Sequence, residues 1–362
     1  MPEPLLPTRR EPPRHDGPCL AGMEEVGTGL LDHVDAMQRV AASAPPGQLL
    51  INAGPGTGKT HVLVRRVAYH ITELHIPASQ CLVLAAAPAA AEDLRRQLEA
   101  LVGDGVAEAT IGAFCDYQPE NLPPLGHLFV DDLHHMTPPM YEALRADRGD
   151  HPAFTATGDP DSAVSGAATA FARFPDDYPD ARVVRLSRNH RSTAAVVTAA
   201  MQLITPVTRT PGRTMLPARA AEETSPIGRF HAASDDDELK FLAELPDRLS
   251  GYGVSADDIA VLRADDAPPI DSAKVESMTV SQAAGRQFRV VCCAGVTPAA
   301  FPDASASARR ALFHAMTRAR DLLYVSHSAA GSPLLDDIDP GLFTAFGRVA
   351  ISRPMVEQPR LL

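Results

Sequence analysis

The chain has no tryptophan, and aromatic residues make up only 5% of its 362 residues. Because proteins that stack single-stranded bases need aromatic faces, this scarcity counts against an extended base-stacking platform. The sequence also lacks the apolar run of about 18 residues that a membrane-spanning helix needs, so we expect no membrane partner. The N-terminus has no apolar core region, which argues against a secretory signal.

Cysteine is scarce and unpatterned. The five cysteines include no C-x-x-C pair, and their odd number suits neither a zinc site nor a disulfide framework. This usage is typical of a reducing compartment, and we expect a cytoplasmic protein. The formal net charge of −12 argues against the broad basic surface that DNA-bound proteins usually show, and lowers the expectation of tight DNA binding.

The most informative segment that is present is the octapeptide at 53–60, which consists of Ala53, Gly54, Pro55, Gly56, Thr57, Gly58, Lys59 and Thr60. It has the form of a phosphate-binding loop, whose glycines let successive backbone N–H groups point at phosphate oxygens. Lys59 would reach the outer phosphates, and the Thr60 hydroxyl would ligate Mg²⁺. An apolar run precedes the loop and a helical stretch follows it, so we predict a nucleoside triphosphate site.

A second strand end supplies the carboxylates that such a site needs. Asp131 and Asp132 directly follow the apolar run at 127–130. We predict that Asp131 holds the metal ion and that Asp132 is the candidate base that orients the attacking water. His134 and His135 follow closely, but a histidine metal cluster is the weaker interpretation, because phosphate chemistry explains the Asp pair without it.

Short β-like runs alternate with helical stretches along the chain, which predicts an α/β protein with parallel sheets. We expect two domains, at 28–180 and 181–345. A disordered Pro-rich tail at 1–27 and a C-terminal tail at 346–362 would flank them. A helix is predicted from 305 to about 321, followed by a last strand at 322–326, and 205–225 reads as a linker or surface loop. No internal repeat is visible.

Six further segments resemble, in the same order, the motifs of the UvrD/Rep-type superfamily 1 DNA helicases. The likeness extends from about Val34 to Ser328. Each of the later motifs is weak by itself, and their shared order is the signal. The segments are Gln38-Arg39, Thr110–Phe114, Thr157–Pro160, Leu186–Ser192, Met278–Phe288 and Arg309–Arg320.

The resemblance implies two RecA-like domains with ATP in the cleft between them and Mg²⁺ as cofactor. It implies that Gln38 reads adenine, that His190 stacks near the base in place of a Tyr, and that Gln287 stands where a Glu faces the ribose. Arg191 and Arg318 would reach the γ-phosphate from the second domain. Such cations, placed in advance, suit the charge that develops on the transferred phosphoryl group.

Departures from the family pattern occur on the ATP side. Asp132 stands where the family has Glu, and His134 replaces a Gln. Asp161 takes the place of a Gln that senses the γ-phosphate. An acid beside a polyanion should weaken ATP binding or its coupling to domain motion, unless the side chain turns away.

The departures on the nucleic-acid side are heavier. Ala87–Ala90 replaces a Thr-rich phosphate contact, and Ala163–Ala168 offers no aromatic ring for a base to stack on. Ser281 replaces a His, and Ala284 replaces a Lys. The family's large helical insertions are also missing, because the gaps after Phe114 and after Leu262 are only about a dozen residues long.

Three functions stay open from these residues. The first is a minimal UvrD-type ATP-dependent DNA helicase or translocase with weakened contacts to single-stranded DNA. The second is a helicase-derived ATPase that acts as a nucleotide-controlled switch on a protein partner without strand separation. The third is a non-catalytic ATP-binding scaffold, and an unrelated phosphate-loop enzyme such as a kinase is a more distant alternative.

Overall fold

The computed structural model describes residues 29–117, 126–148, 153–163, 168–219, 226–268, 275–303 and 305–345. The two tails expected from the sequence lie outside these residues. The described chain contains two six-stranded sheets in which every strand pair is parallel. The prediction of two parallel-sheet α/β domains is therefore confirmed.

The first sheet has the spatial order β3-β2-β4-β5-β1-β6. Its strands are β1 (Leu49–Ala53), β2 (Cys81–Ala85), β3 (Thr110–Ala113), β4 (His127–Val130), β5 (Ala153–Gly158) and β6 (Arg182–Leu186). The helices of this half are α1 (Ala36–Ala42), α2 (Lys59–Thr72), α3 (Pro88–Val102), α4 (Pro138–Arg148) and α5 (Thr169–Asp177). The interior strand β2, between β3 and β4, is buried along its whole length, as expected of a parallel strand covered on both faces.

The second sheet has the spatial order β11-β10-β12-β13-β9-β14. Its strands are β9 (Ile227–His231), β10 (Ile259–Arg263), β11 (Glu276–Thr279), β12 (Phe288–Cys293), β13 (Ala319–His327) and β14 (Phe343–Ala345). The helices are α6 (Ala194–Ile204), α7 (Asp235–Ser250) and α8 (Ala306–Met316). A separate two-stranded pair, β7 (Arg188–Asn189) with β8 (Leu216–Pro217), lies between the two sheets in the chain.

The two sheets repeat one topology. Numbered from its own first strand, each sheet has the order 3-2-4-5-1-6. The sequence shows no matching repeat, because many different apolar runs satisfy the same ladder of backbone hydrogen bonds. The gaps 118–125 and 269–274 are too short for a large helical insertion, so the fold is the two RecA-like domains without those subdomains.

The domain boundary expected at residue 181 falls one strand too early. The strand β6, assigned from the sequence to the second domain, pairs with β1 from Leu49 opposite Arg182 to Ala53 opposite Leu186. An edge strand at the end of one domain has the same local pattern as a strand that opens the next, so the sequence did not separate the two cases. The chain crosses over after Leu186, and α6 packs into the core of the second domain.

The arginine-rich helix is shorter than predicted. It ends at Met316, and β13 begins at Ala319, so Arg318 lies in the turn between them rather than on a helix. The apolar run at 322–325 is buried between β12 and β9, and this pairing extends the strand towards the helix. The predicted last strand at 322–326 is followed by one more, β14, beside β9.

A buried arginine holds α1 against the first sheet. The Arg66 guanidinium on α2 donates to the carbonyls of Ala41 at 3.1 Å and Ala44 at 2.6 Å, and its Nε donates to the Thr155 hydroxyl at 2.8 Å. Carbonyls at a helix C-terminus need such donors. Arg66 thus positions α1, which carries Gln38, beside the loop that follows β1. No helix in the described part of the chain is long and apolar enough to cross a membrane.

Candidate functional site

The loop at 53–60 connects β1 to α2. Gly56 and Gly58 have φ of 71° and 84°, in the left-handed region that favours glycine. The Thr57 hydroxyl donates to the Gly54 carbonyl at 2.8 Å and closes the loop. Because α2 begins at Lys59, directly after Gly58, the loop presents a helix N-terminus, where backbone N–H groups and the helix dipole favour an anion.

Lys59 and Thr60 point towards the carboxylates at the end of β4. The Lys59 ammonium is 3.4 Å from the Gly54 carbonyl oxygen and 3.9 Å from Asp132 Oδ1. The Thr60 hydroxyl donates to Asp131 Oδ2 at 2.7 Å. The structure therefore brings the phosphate loop and the Asp pair together, as the sequence predicts.

Asp131 is buried between two hydroxyl groups. Thr157 on β5 donates to its Oδ1 at 2.6 Å, while Thr60 donates to its Oδ2. Burial, with repulsion from Asp132, raises the pKa of Asp131 to about 6, although both hydroxyl groups and Lys59 oppose the shift. The Thr60 and Asp131 oxygens lie side by side, and an all-oxygen donor set of this kind fits Mg²⁺.

Asp132 has an open acceptor. Its backbone adopts a left-handed conformation, with φ of 53°, and its N–H donates to the Thr157 hydroxyl at 3.0 Å. Burial opposes ionisation, yet nearby positive charge, from Lys59 above all, lowers the pKa of Asp132. Within the described residues its Oδ1 is buried and has no hydrogen-bond partner. An ionised carboxylate with a free oxygen fits a group that accepts a proton from water.

The two histidines after the Asp pair do not form a metal centre. His134 is buried, and its Nδ1 accepts a hydrogen bond from the Asp159 N–H at 3.2 Å, which assigns the ring proton to Nε2. Burial lowers the pKa of His134 to about 3, so the ring is neutral near pH 7. Across the described ranges, no cluster of three or more His, Cys, Asp or Glu side chains is placed to hold a metal ion.

The second domain touches the phosphate loop directly. The Asn189 side-chain amide donates to the Pro55 carbonyl at 2.8 Å, and the His190 backbone N–H donates to the Gly56 carbonyl at 2.8 Å. A Cβ on Gly56 would lie 2.8 Å from Arg191 Cβ. Residues 189–191 therefore rest on the loop, and only glycine fits at position 56.

Arg191 and Arg318 form a pair of positive charges on this side of the second domain. Arg191 donates to the Thr317 carbonyl at 3.4 Å, and Arg318 donates to the carbonyls of His314 and Arg286 at 3.3 Å. No described residue forms an ion pair with either arginine.

Burial, together with repulsion from Arg318, lowers the pKa of Arg191 to about 9, and burial lowers the pKa of Arg318 to about 10. The charge of Asp132 acts on both guanidinium groups in the opposite direction, so both lie within electrostatic range of Asp132. Two arginines without a carboxylate partner fit the negative charge of a polyphosphate.

Two of the residues expected around the base and ribose, Gln38 and His190, contact other protein groups. Gln38 is only 4% exposed. Its Oε1 accepts from the Asp35 N–H at 3.0 Å, and its Nε2 donates to the Thr57 carbonyl at 2.9 Å. The His190 ring, 40% exposed, lies 2.9 Å from Asp35 Oδ2. Gln287 is exposed and follows Arg286, whose carbonyl accepts from Arg318. Gln38 thus holds α1 to the loop, and adenine would meet only its remaining N–H and lone pair.

Arg213 is a site residue that was not predicted from the sequence. It lies in the segment read as a linker, yet its guanidinium donates to Asp159 Oδ1 at 2.6 Å and to Asp161 Oδ2 at 2.7 Å. Asp161 therefore turns towards the second domain. This is the orientation required if an acid at position 161 is not to weaken ATP binding. In the sequence, this contact was indicated by two features together: an acid at position 161 in place of the family's Gln, and a linker rich in arginine.

Both halves of the chain match known helicase domains. Residues 34–122 match the UvrD/REP helicase N-terminal domain, and residues 274–326 match the UvrD-like helicase C-terminal domain. The chain is 32% identical over 92 residues to the ATP-dependent DNA helicase PcrA of Bacillus subtilis. It is also 32% identical over 138 residues to the ATP-dependent DNA helicase UvrD2 of Mycobacterium bovis.

These similarities cover parts of each protein. They span 25% of this chain and 12% of PcrA, and 37% of this chain and 20% of UvrD2. Among solved structures, the helicase nonstructural protein 10 of an arterivirus has a TM-score of 0.52 and 17% identity, covering 84% of this chain and 64% of that one. At this identity the likeness concerns the fold alone. One helicase family model thus matches within each domain, in the family's order, so both halves of the chain are similar to the UvrD/Rep-type superfamily 1 helicases.

Proposed function

We propose that the chain binds ATP with Mg²⁺ in the cleft between its domains and hydrolyses it, as a DNA helicase or translocase-type ATPase. The observation that supports this most is the meeting of two half-sites. The phosphate loop and Asp pair come from one domain, and the unpaired Arg191 and Arg318 come from the other. PcrA and UvrD2, which the chain resembles over part of their length, are ATP-dependent DNA helicases.

Each group then has a chemical role. The loop N–H groups and Lys59 bind the phosphates, while Thr60 and Asp131 hold the metal ion. The metal, when bound, offsets the charge of the phosphate oxygens. Asp132 accepts a proton from the water that attacks the γ-phosphorus, and the bond to the ADP oxygen breaks. Arg191 and Arg318 stabilise the charge that spreads over the transferred group.

Contacts to the base and ribose would be secondary. We propose that the free N–H of Gln38 meets the adenine edge, that the exposed His190 ring stacks beside the base, and that Gln287 approaches the ribose. These contacts are hydrogen bonds and stacking, so base selectivity should be modest beside the binding of the phosphates.

The surface expected to hold single-stranded DNA is poor in donors and rings. Residues 87–90 are exposed at the start of α3, which has no side-chain cap, and they carry no polar side chain. The Ser281 hydroxyl donates to Asp265 at 2.5 Å, so an acid lies beside the position where the family has a His. Of the run at 163–168, residues 164–167 lie outside the described part. We infer weak DNA binding in which backbone charge dominates.

The same surface supports a second candidate. An acidic chain without donors at 87–90 would suit a protein partner that reads the nucleotide state of the two domains. In that case the chain hydrolyses ATP without separating strands, or binds ATP as a scaffold.

ATP turnover measured at low salt, with and without poly-dT, tests these proposals. Stimulation by poly-dT supports the DNA motor, because backbone contacts are strongest at low salt. Turnover that ignores poly-dT supports the switch, and ATP binding without turnover supports the scaffold. Lys59→Ala should abolish turnover, and an unchanged rate in that variant would refute the proposed active site.

A further inference from the structure

The two domains are joined at a second place, beside the nucleotide cleft. The turn at 159–162, which follows β5 in the first domain, is enclosed by residues 208–213, which follow α6 of the second. We call this contact the inter-domain latch. It consists of Asp159, Asp161, Thr208, Arg209 and Arg213.

Arg213 is the centre of the latch. Its side chain is 6% exposed and lies between two carboxylates that are fully buried. NH1 donates to Asp159 Oδ1 and Asp161 Oδ2, and NH2 donates to Asp159 Oδ2 at 3.1 Å. Burial opposes ionisation of Asp159, yet the adjacent guanidinium holds the pKa of that carboxyl well below its usual range. The latch is therefore a charged, water-excluded contact between domains.

Within the described residues, the carboxylate oxygens of Asp161 accept hydrogen bonds from the second domain alone. Its Oδ1 accepts from the Arg209 backbone N–H at 2.7 Å, and its Oδ2 accepts from the Thr208 hydroxyl at 2.5 Å and from Arg213. The Arg209 guanidinium also donates to the Pro160 carbonyl at 3.1 Å. The groups that bind Asp161 and Pro160 are therefore all protein groups.

The latch connects directly to both halves of the cleft. A Cβ on Gly54 of the phosphate loop would lie 2.8 Å from Arg213 NH2. The same guanidinium lies 5.2 Å from the centre of the Phe313 ring on α8, the helix that leads to Arg318. Met215 Sδ, two residues on, is 3.7 Å from the Asn189 amide that binds Pro55. A displacement of Arg213 would therefore move groups on both sides of the cleft.

We propose that Arg213 is a positioning residue. By pairing with Asp159 and Asp161 it holds the second domain on the phosphate loop, and so it sets where Arg191 and Arg318 face the cleft. Since the partners are protein side chains, this contact does not need a phosphate to form. The acid at 161 then acts on the neighbouring domain, in place of the γ-phosphate sensing that a Gln provides in the family.

The His190 amide reports on this contact. Its N–H donates to the Gly56 carbonyl across the cleft, so its hydrogen exchange measures how often the domains separate there. The experiment compares His190 exchange in nucleotide-free wild type and Arg213→Met by residue-resolved mass spectrometry. We expect exchange at least about tenfold faster in the variant, with slowly exchanging amides of β2 and β12 unchanged.

Arg309→Met is the matched control. Arg309 is equally buried, at 7% side-chain exposure, and it also pairs with two carboxylates, Asp303 and Asp337, but all three lie in the second domain. This variant should leave His190 exchange within about twofold of wild type. Asp161→Asn keeps the shape and removes the charge, and it should accelerate exchange less than Arg213→Met. The double variant should add little to Arg213→Met, because both changes break one contact.

Wild-type exchange of His190 in Arg213→Met would overturn the proposal, and so would an equal acceleration in Arg309→Met. If Arg213→Met does not fold, Arg213→Lys replaces it, because an ammonium keeps the charge but lacks the fork that bridges two carboxylates. Faster exchange in Arg213→Lys supports the latch, and a wild-type rate refutes it. The readout uses no nucleotide, so its outcome is independent of the proposed ATPase activity.

Discussion

The Asn189 amide donates a 2.8 Å hydrogen bond to the Pro55 carbonyl, so a side chain of the second domain grips the phosphate loop of the first. Beside it, the His190 N–H binds the Gly56 carbonyl. These contacts place residues 189 and 190, in the segment that follows the first sheet, directly on the loop. The geometry makes the loop itself a part of the domain interface, and several consequences are measurable.

Gly56→Ala should disrupt both the loop and the interface. A Cβ there would lie 2.6 Å from Asn189 Nδ2, and the residue has a φ of 71°. We expect a loss of about 2 kcal/mol or more in the free energy of unfolding, from left-handed strain with an added clash. Binding of a non-hydrolysable ATP analogue should be lost. Calorimetry and analogue titration measure both effects.

Gly253→Ala is the control for Gly56→Ala, because Gly253 has a similar φ of 75° but nothing within 4 Å of an added Cβ. It should cost about 1 kcal/mol, from backbone strain alone, and leave nucleotide binding intact. Equal losses in the two variants would show that the interface clash at Gly56 is unimportant.

Asp132→Asn should separate binding from turnover. The amide keeps the shape but cannot take a proton, so turnover should fall about 10²- to 10⁴-fold. ATP affinity should stay equal or rise, because a negative charge near the phosphates is removed. Asp132→Glu, which introduces the family's residue, should keep turnover. A single-turnover assay with an equilibrium binding measurement decides it, and an Asp132→Asn variant as fast as wild type contradicts the role.

Arg318→Met should harm turnover without harming the fold. Arg318 is buried and pairs with no described carboxylate, so its removal eliminates a desolvation cost. We expect an unchanged or higher melting temperature together with a fall in turnover of about 10³-fold or more. A clear drop in melting temperature with turnover intact would assign Arg318 a structural role instead.

Stability should fall in mild acid because of buried neutral histidines. Burial, with the charge of Arg66 and the neighbouring His127, lowers the pKa of His70 from 6.5 to about 3. As the pH falls below about 6.5 the unfolded chain takes up the proton first, so stability is lost towards pH 3. The slope is up to about 1.4 kcal/mol per pH unit for this group.

His70→Gln tests that assignment by urea unfolding at pH 7, 6 and 5. The glutamine does not titrate, so the variant should lose less stability between pH 7 and pH 5 than the wild type does. Its absolute stability at pH 7 will be lower, because the His70 ring packs edge-on against Phe129 at 5.3 Å. Parallel pH curves for the two proteins would remove His70 from the acid response.

Local pattern was enough to find most elements of the fold. The strand at 127–130 has the bounds that its apolar run predicts, and α2 begins at Lys59 as the loop chemistry requires. These features depend on neighbouring residues and on backbone hydrogen bonding within one segment. The carboxylate pair at the end of β4 was found for the same reason, since parallel strands end at one edge of a sheet.

The assignments that failed all depend on distant partners. The residues at 182–186 do not by themselves indicate whether their strand pairs with β1 or begins another sheet. In the structure the strand pairs with β1, which assigns it to the first sheet. The helix before Arg318 is cut short by a strand that needs β12 and β9 beside it. The role of Arg213 is likewise invisible along the chain, since its partners are more than fifty residues away.

The order of amino acids therefore specifies the chemistry available in this protein: a loop for phosphates, a carboxylate pair, and arginines in a family-like order. Folding adds their mutual placement, such as the contact of residues 189–191 with Gly56 and the rotation of Asp161 onto Arg213. The reason is physical. A side chain's type is a local property, whereas its distance, burial and charge environment arise from segments that meet only when both sheets are assembled.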